Sequence, residues 1–148
     1  MNCLFHALAY PDGGNGAALR AEIATFMQSD AHKQIGFEEA WLREAQKLLQ
    51  GTWGGHMAIS AFSLLRRVKV EVHVHQPSGN VTIMDASHES VQTEPDAPLR
   101  RVFYDGRAHH YEALLELGCG WMLSMVQPPT TCTRCACACH APPGFYNS

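Results

Sequence analysis

The sequence predicts an α+β protein with a small mixed or antiparallel sheet flanked by helices. Three observations carry this expectation. Apolar residues recur at helical spacing through the first part of the chain. The period then changes to two, where Val68, Val70, Val72 and Val74 alternate with Lys69, Glu71, His73 and His75. Shorter extended runs follow, divided by turns that contain Pro, Gly or Asp-Gly. Helices that come first and strands that cluster later read as α+β.

Each element has its own signal. Residues 4–10 form a short helix, ended by the loop Pro11-Asp12-Gly13-Gly14-Asn15-Gly16. Leu19, Ile23, Phe26 and Met27 set a second helix over 17–28. Residues 30–36 connect it to a third over 37–50, marked by Trp41, Leu42, Ala45, Leu48 and Leu49 and stopped by Gly51. Trp53-Gly54-Gly55 is a turn. Ala58, Ile59, Ala61, Phe62 and Leu65 then make an apolar helical face, with Arg66-Arg67 in the last turn, where cations suit the helix dipole. After the Val-rich strand, 76–80 is a hairpin-like turn and 81–84 a second strand. Residues 85–98 read as a long polar loop, 99–104 as a third strand and 110–115 as a fourth, short one. The chain divides into a domain over 1–117 and a Cys- and Pro-rich tail over 118–148, expected to be disordered because it has no period.

A length of 148 residues suits one domain with a real core. The net charge of −3, with no basic run, argues against nucleic acid, since phosphate binding needs clustered Lys and Arg. No apolar stretch approaches the roughly 20 residues of a membrane span, and no basic segment precedes an apolar block as in a signal peptide. Only Cys3 and Cys119 lie outside a tight cluster at Cys132, Cys135, Cys137 and Cys139, which makes no disulfide framework. A monomer in the reducing cytoplasm is the expectation.

Two features carry chemistry. Cys3 opens the first helix, where unpaired N–H groups and the helix dipole favour the nucleophilic thiolate. Far along the chain stands His109-His110-Tyr111-Glu112, at the start of the last strand. A thiol on a helix start and a distant His with an acidic neighbour are the parts of a thiol protease. His109 and His110 compete for the role of base. His110 is preferred, because Glu112 stands two residues on and therefore shares its strand face; His109 is then expected to point to the opposite face and to be exposed. His6, three residues after Cys3, is expected to pack or lie at the surface. His73 and His75 share one strand face, read as solvated. The tail cysteines Cys132, Cys135, Cys137 and Cys139, followed by His140, supply enough soft ligands for one Zn²⁺, but not at the spacing of a paired knuckle.

Asn2-Cys3-Leu4-Phe5, then Leu19-Arg20, then Trp53-Gly54-Gly55, a Val-rich strand and His110-Tyr111 follow one another in this order. The order resembles the ovarian-tumour (OTU) family of cysteine proteases, most of which are deubiquitinases. The resemblance covers residues 2–115 and implies an OTU-like cysteine protease fold. It implies a cofactor-free thiol protease that cleaves isopeptide bonds at the C-terminus of ubiquitin or a ubiquitin-like modifier. Cys3 is then the nucleophile, His110 the general acid/base and Glu112 its orienting group, with backbone N–H groups around Cys3 as the oxyanion hole. Asn2, Trp53, Gly54, Gly55 and His56 fall where the substrate tail is bound. Family members carry Asp-Gly directly before Asn-Cys, whereas this sequence starts at Met1, and Glu112 stands where Asp or Asn is usual. These departures define the alternative expectation, a catalytically inactive OTU-like module that binds ubiquitin. Zinc binding by the tail is a further alternative.

Overall fold

A computed structural model of the chain describes residues 2–29, 38–117 and 120–123. Helices α1 (Cys3–Ala9), α2 (Gly16–Gln28), α3 (Glu38–Leu49) and α4 (His56–Arg66) come first, with a 3-10 turn at Tyr10–Asp12. Strands β1 (Lys69–His75) and β2 (Val81–Asp85) form a hairpin. A short helix α5 (Glu89–Gln92) precedes β3 (Leu99–Asp105), β4 (His110–Leu117) and β5 (Gly120–Leu123). The sheet order is β2-β1-β3-β4-β5. β1 and β3 run parallel and the other neighbours antiparallel, so the sheet is mixed.

Strand alternation sorts the sheet into two faces. Val70, Val72, Val102 and Ala113 lie on one face and are buried against the helices. There they meet Leu4, Phe5 and Leu8 of α1, Ile23 and Met27 of α2, and Ile59 and Phe62 of α4, all nearly inaccessible. The opposite face carries Glu71, His73, Arg101, Phe103 and Glu112, by the register of β1 with β3 and of β3 with β4. It is more than a solvated surface. One Glu71 oxygen, Oε1, accepts from Arg101 Nε at 2.9 Å and lies 2.6 Å from His73 Nε2.

The stretch read as a loop over 85–98 contains α5, a correction to that reading. Four residues are too few to show a helical period. The side chain of His88 caps α5 by accepting from the Ser90 N–H at 3.1 Å, and Val91 is fully buried. This segment carries the chain from β2 across to β3. It is pinned to β1, because Val70 N–H donates to Ser87 Oγ at 2.8 Å and Ala86 N–H to Val70 O at 2.9 Å. Ser63, fully buried in α4, joins both sides: its hydroxyl donates to Val68 O at 2.6 Å and accepts from His88 N–H at 3.0 Å.

Several charged groups tie separate elements together. Arg66 makes a two-pronged ion pair with Glu22, both contacts at 2.7 Å, and ties α4 to α2. Arg67, in the left-handed conformation at the end of α4, pairs with Glu94. Arg100 reaches from β3 to the end of α1, where it donates to Leu8 O and forks onto the Asp12 carboxylate at 2.9 and 3.1 Å. β5 pairs with β4, so the sheet continues past the boundary expected at residue 117. Cys119, the tail cysteines Cys132, Cys135, Cys137 and Cys139, and the connection over 30–37 lie outside the described residues.

Two stability predictions follow from these contacts. Ser63→Ala strands the buried His88 N–H, and urea unfolding is expected to show a loss of about 1–3 kcal/mol with an unchanged slope. A parent-like midpoint would mean that this N–H finds another acceptor. For Glu71, burial raises the carboxyl, but the hydrogen bonds and charges of His73 and Arg101 outweigh it and hold it below its ordinary value. A depressed carboxylate contributes stability that is complete above its unfolded pKa and is lost as pH falls through the folded value. Glu71→Gln is therefore expected to lower Tm at pH 7 and to match the parent once pH falls below the carboxylate range. A Tm gap that stays constant down to that acid range would exclude the ionic origin.

Candidate active site

Cys3 occupies the first position of α1 and is half-buried. Its neighbour Asn2 serves the helix through its backbone, since Asn2 O accepts from His6 N–H at 2.7 Å. The Asn2 side chain makes no cap. Its Oδ1 instead accepts from Arg20 Nη1 at 3.0 Å.

Arg20 is a buried hub. Its Nε donates to Leu48 O at 2.6 Å, Nη2 donates to Thr52 O, and the guanidinium lies 5.2 Å from the centre of the Phe5 ring. Burial lowers its pKa, because the charged form loses water, and the surrounding oxygens offset that loss. One side chain thus joins the residue before Cys3, the end of α3 and the loop that leads into Trp53. In the sequence Leu19-Arg20 stands out only as part of the family order. Nothing local distinguishes a buried arginine from one that snorkels to solvent.

Trp53-Gly54-Gly55 lies against α1 because of one glycine. A Cβ on Gly54 would sit 2.7 Å from Phe5 Cζ and 2.8 Å from Leu4 Cδ2, closer than carbon atoms pack. Gly55, the residue before α4, has open space around it, and His56 at the helix start is exposed. Trp53 is half-exposed and forms a wall. Together with Gly54, Tyr104, His109 and Tyr111 it lines a groove of about 340 Å³. His6 is turned elsewhere, packed against the backbone of Gly16 at the start of α2.

The β3–β4 turn supplies the histidines. Asp105 Oδ1 accepts from Arg107 N–H at 2.9 Å and closes the turn. His109 has φ +50°, a left-handed conformation uncommon outside glycine. Its Nδ1 lies 3.1 Å from Tyr104 Oη, and the ring centres of Tyr104 and Tyr111 are 4.6 Å apart with the planes tilted by 41°. The Tyr111 phenol is pushed up to about 12, first by burial, then by Tyr104 and Cys3. Cys3 is therefore an electrostatic neighbour of Tyr111, on the helix-facing side of β4.

His110 and Glu112 do come together, with Nε2 3.5 Å from Oε1. Their register places them beside Asp105 and Phe103, on the sheet face away from α1. His109 is exposed and on the other side from His110, as expected. Tyr111 and Ala113 face the helices, so alternation sends His110 and Glu112 the other way. His109 precedes the strand, and its left-handed backbone carries it to Tyr104. A second cavity, of about 200 Å³ between α1, α2 and α4, is lined by Asp12, Asn15, Glu22 and Arg66 among others and holds no Cys, His or Ser. Among the described residues no three His, Cys, Asp or Glu groups are gathered as metal ligands.

Replacing Arg20 tests the hub. Arg20→Lys keeps the charge but loses the planar fork, so it cannot serve all three oxygens at once. It is expected to cost about 1–3 kcal/mol in urea unfolding. An unchanged midpoint would show that the loop before Trp53 is held by other contacts.

No protein-family model matches this sequence, and no curated protein does. Solved structures do. The chain is similar to the OTU domain of OTUD1, with a TM-score of 0.62 and 17% identity, over 78% of this chain and 79% of that one. It is also similar to an OTU domain solved in complex with ubiquitin, with a TM-score of 0.53 and 21% identity. That match covers 76% of this chain and 62% of the other, less than two thirds of its length. At such identities the likeness speaks for shape. With α1 laid across a mixed sheet, a buried arginine behind it and the Trp-Gly-Gly loop at its start, the chain has an OTU-like fold.

Proposed function

We propose that this chain is a thiol-dependent deubiquitinase that cleaves isopeptide bonds at the C-terminus of ubiquitin or a ubiquitin-like modifier. The observation that carries this reading is Cys3 at the first position of α1, a helix whose start is held by Arg20 through Asn2 and against which Gly54 of the Trp-Gly-Gly loop packs. Support comes from the OTU-like fold, and from the fact that one similar domain was solved with ubiquitin. The groove suits an extended tail of small residues, with Trp53 as one wall and the bare backbone of Gly54 beside it.

The reaction is an acyl transfer in two halves. A histidine of the β3–β4 turn takes the proton of Cys3, and the thiolate attacks the carbonyl carbon of the isopeptide. The C–N bond breaks as the same histidine returns its proton to the lysine amine. Water then attacks the thioester, gives its proton to the histidine and releases the carboxylate, and the thiol is restored. No cofactor takes part in these steps.

The second reading, an inactive module that binds ubiquitin, has one observation in its favour. The His110–Glu112 pair lies on the sheet face opposite Tyr111 and Ala113, which pack toward the helices. The two readings part in one experiment. The chain is incubated with ubiquitin carrying a C-terminal electrophile and followed by intact mass, beside Cys3→Ala. A single ubiquitin adduct that vanishes in the variant is the expected result. Ubiquitin binding without an adduct supports the inactive module, and neither binding nor adduct removes ubiquitin from the proposal.

A further inference from the structure

We propose that the free edge of the sheet, strand β2, is a self-association site, where a second copy of this chain pairs antiparallel about a two-fold axis at Ile83.

The first observation is the place and composition of the strand. β2 ends the sheet order, and all five of its residues are exposed. Three are large and apolar, with Val81 40%, Ile83 59% and Met84 47% exposed. Edge strands of soluble proteins are commonly blunted by Lys, by Pro or by a bulge. Val81-Thr82-Ile83-Met84 has no charge and no Pro, and its register with β1 runs unbroken to Asp85, without a bulge. Among the described residues, no strand pairs with the outer side of β2.

The second observation is which backbone groups that edge presents. In an antiparallel ladder, opposed residues alternate between pairs that exchange hydrogen bonds and pairs that do not. Gln76 N–H donates to Asn80 O at 2.8 Å at one end of the hairpin, and Ala86 N–H to Val70 O at 2.9 Å at the other. Counted from either end, the positions of β2 bonded to β1 are Thr82 and Met84. The N–H and C=O groups of Val81, Ile83 and Asp85 therefore point outward. A two-fold axis at Ile83 sets Ile83 against Ile83, and Val81 of each copy against Asp85 of the other. Every outward donor and acceptor then meets its complement, with none left over.

The third observation is the placement of charge. Asp85 is the one charged residue of β2. A parallel pairing in register would set the two Asp85 carboxylates side by side, whereas the two-fold sends them to opposite ends of the seam. Glu71 lies beside Asp85 in register, and His75 beside Val81. The acidic end of one hairpin thus meets the histidine end of the other. Along the seam Ile83 packs beside its mate on one face, and Met84 beside Thr82 on the other. Five residues span about 17 Å. Such a seam buries less than the roughly 800 Å² per partner of a standard interface, so the pairing is weak and grows with concentration. The monomer expected from the sequence is then the dilute form.

The test follows the full chain by sedimentation velocity over a concentration series, beside Ile83→Lys, Ile83→Glu and an equal mixture of the two variants. The parent is expected to shift from the mass of one chain to twice that mass. Each variant alone sets like charges against each other at the axis and is expected to lose the shift while keeping the parent's urea midpoint, because the side chain is exposed. The mixture sets Lys against Glu and is expected to regain it. Amide exchange reads the backbone: the Ile83 amide is expected to slow as concentration rises, while Thr82 and Met84, already bonded to β1, change little. A parent that keeps the mass of one chain at every concentration overturns the inference. So does a dimer that both variants retain, since its interface then lies elsewhere. A mixture no better than its components overturns it too, because β2 then meets a surface other than itself. Neither readout involves Cys3 or ubiquitin, so the result stands apart from the protease reading.

Discussion

Helix α1 has seven residues, too few to hold its own direction in water, so its placement comes from outside. Two arginines do most of this work. Arg20 takes Asn2 Oδ1 at the start of the helix, and Arg100 takes Leu8 O near its end. Each guanidinium also rests over a buried ring, Arg20 on Phe5 and Arg100 on Phe62. Arg20 matters more for the site, because the same planar fork reaches Leu48 O and Thr52 O. A buried charge must have acceptors, and these acceptors belong to three separate segments. Moving any one of them strips the guanidinium of a partner. The position of the Trp53 wall relative to Cys3 is thereby set from within the core.

The sheet acts as a sorting device around this fixed helix. Its helix-facing side takes aliphatic and aromatic groups together with Arg100, and the β3–β4 turn brings Tyr104, Tyr111 and His109 together. The other side gathers ionisable groups into pairs, Glu71 with His73 and Arg101, and His110 with Glu112. Two adjacent histidines thus enter different environments. One meets a phenol in a groove, and the other meets a carboxylate on an open face. The amino acids are identical, and the parity of the strand separates their surroundings.

Much of the architecture was legible in the sequence, and for clear reasons. The helices α2, α3 and α4 declare themselves by apolar spacing, and β1 by strict alternation of valines with polar residues. Signals of that length survive tertiary context. What escaped reading was short or non-local. Helix α5 spans one turn, so no period could mark it. The parallel pairing of β1 with β3 depends on a crossover that no local pattern records. Arg20 looks like any arginine on a helix until three distant oxygens converge on it.

The candidate site divides in the same way. By itself the sequence determined the residue types of the chemistry: a thiol at a helix start, a histidine pair at a turn and a Trp-Gly-Gly loop. Gly54 belongs to this legible part as a residue, although its reason lies in the contact with Phe5 and Leu4. Only the tertiary structure decided which environment each histidine enters. The physical reason is a single left-handed residue, His109, ahead of a strand whose alternation is set by Tyr111 and Ala113 packing on the helices. Side-chain identity is local information, whereas the face a side chain occupies is fixed by what its neighbours bury.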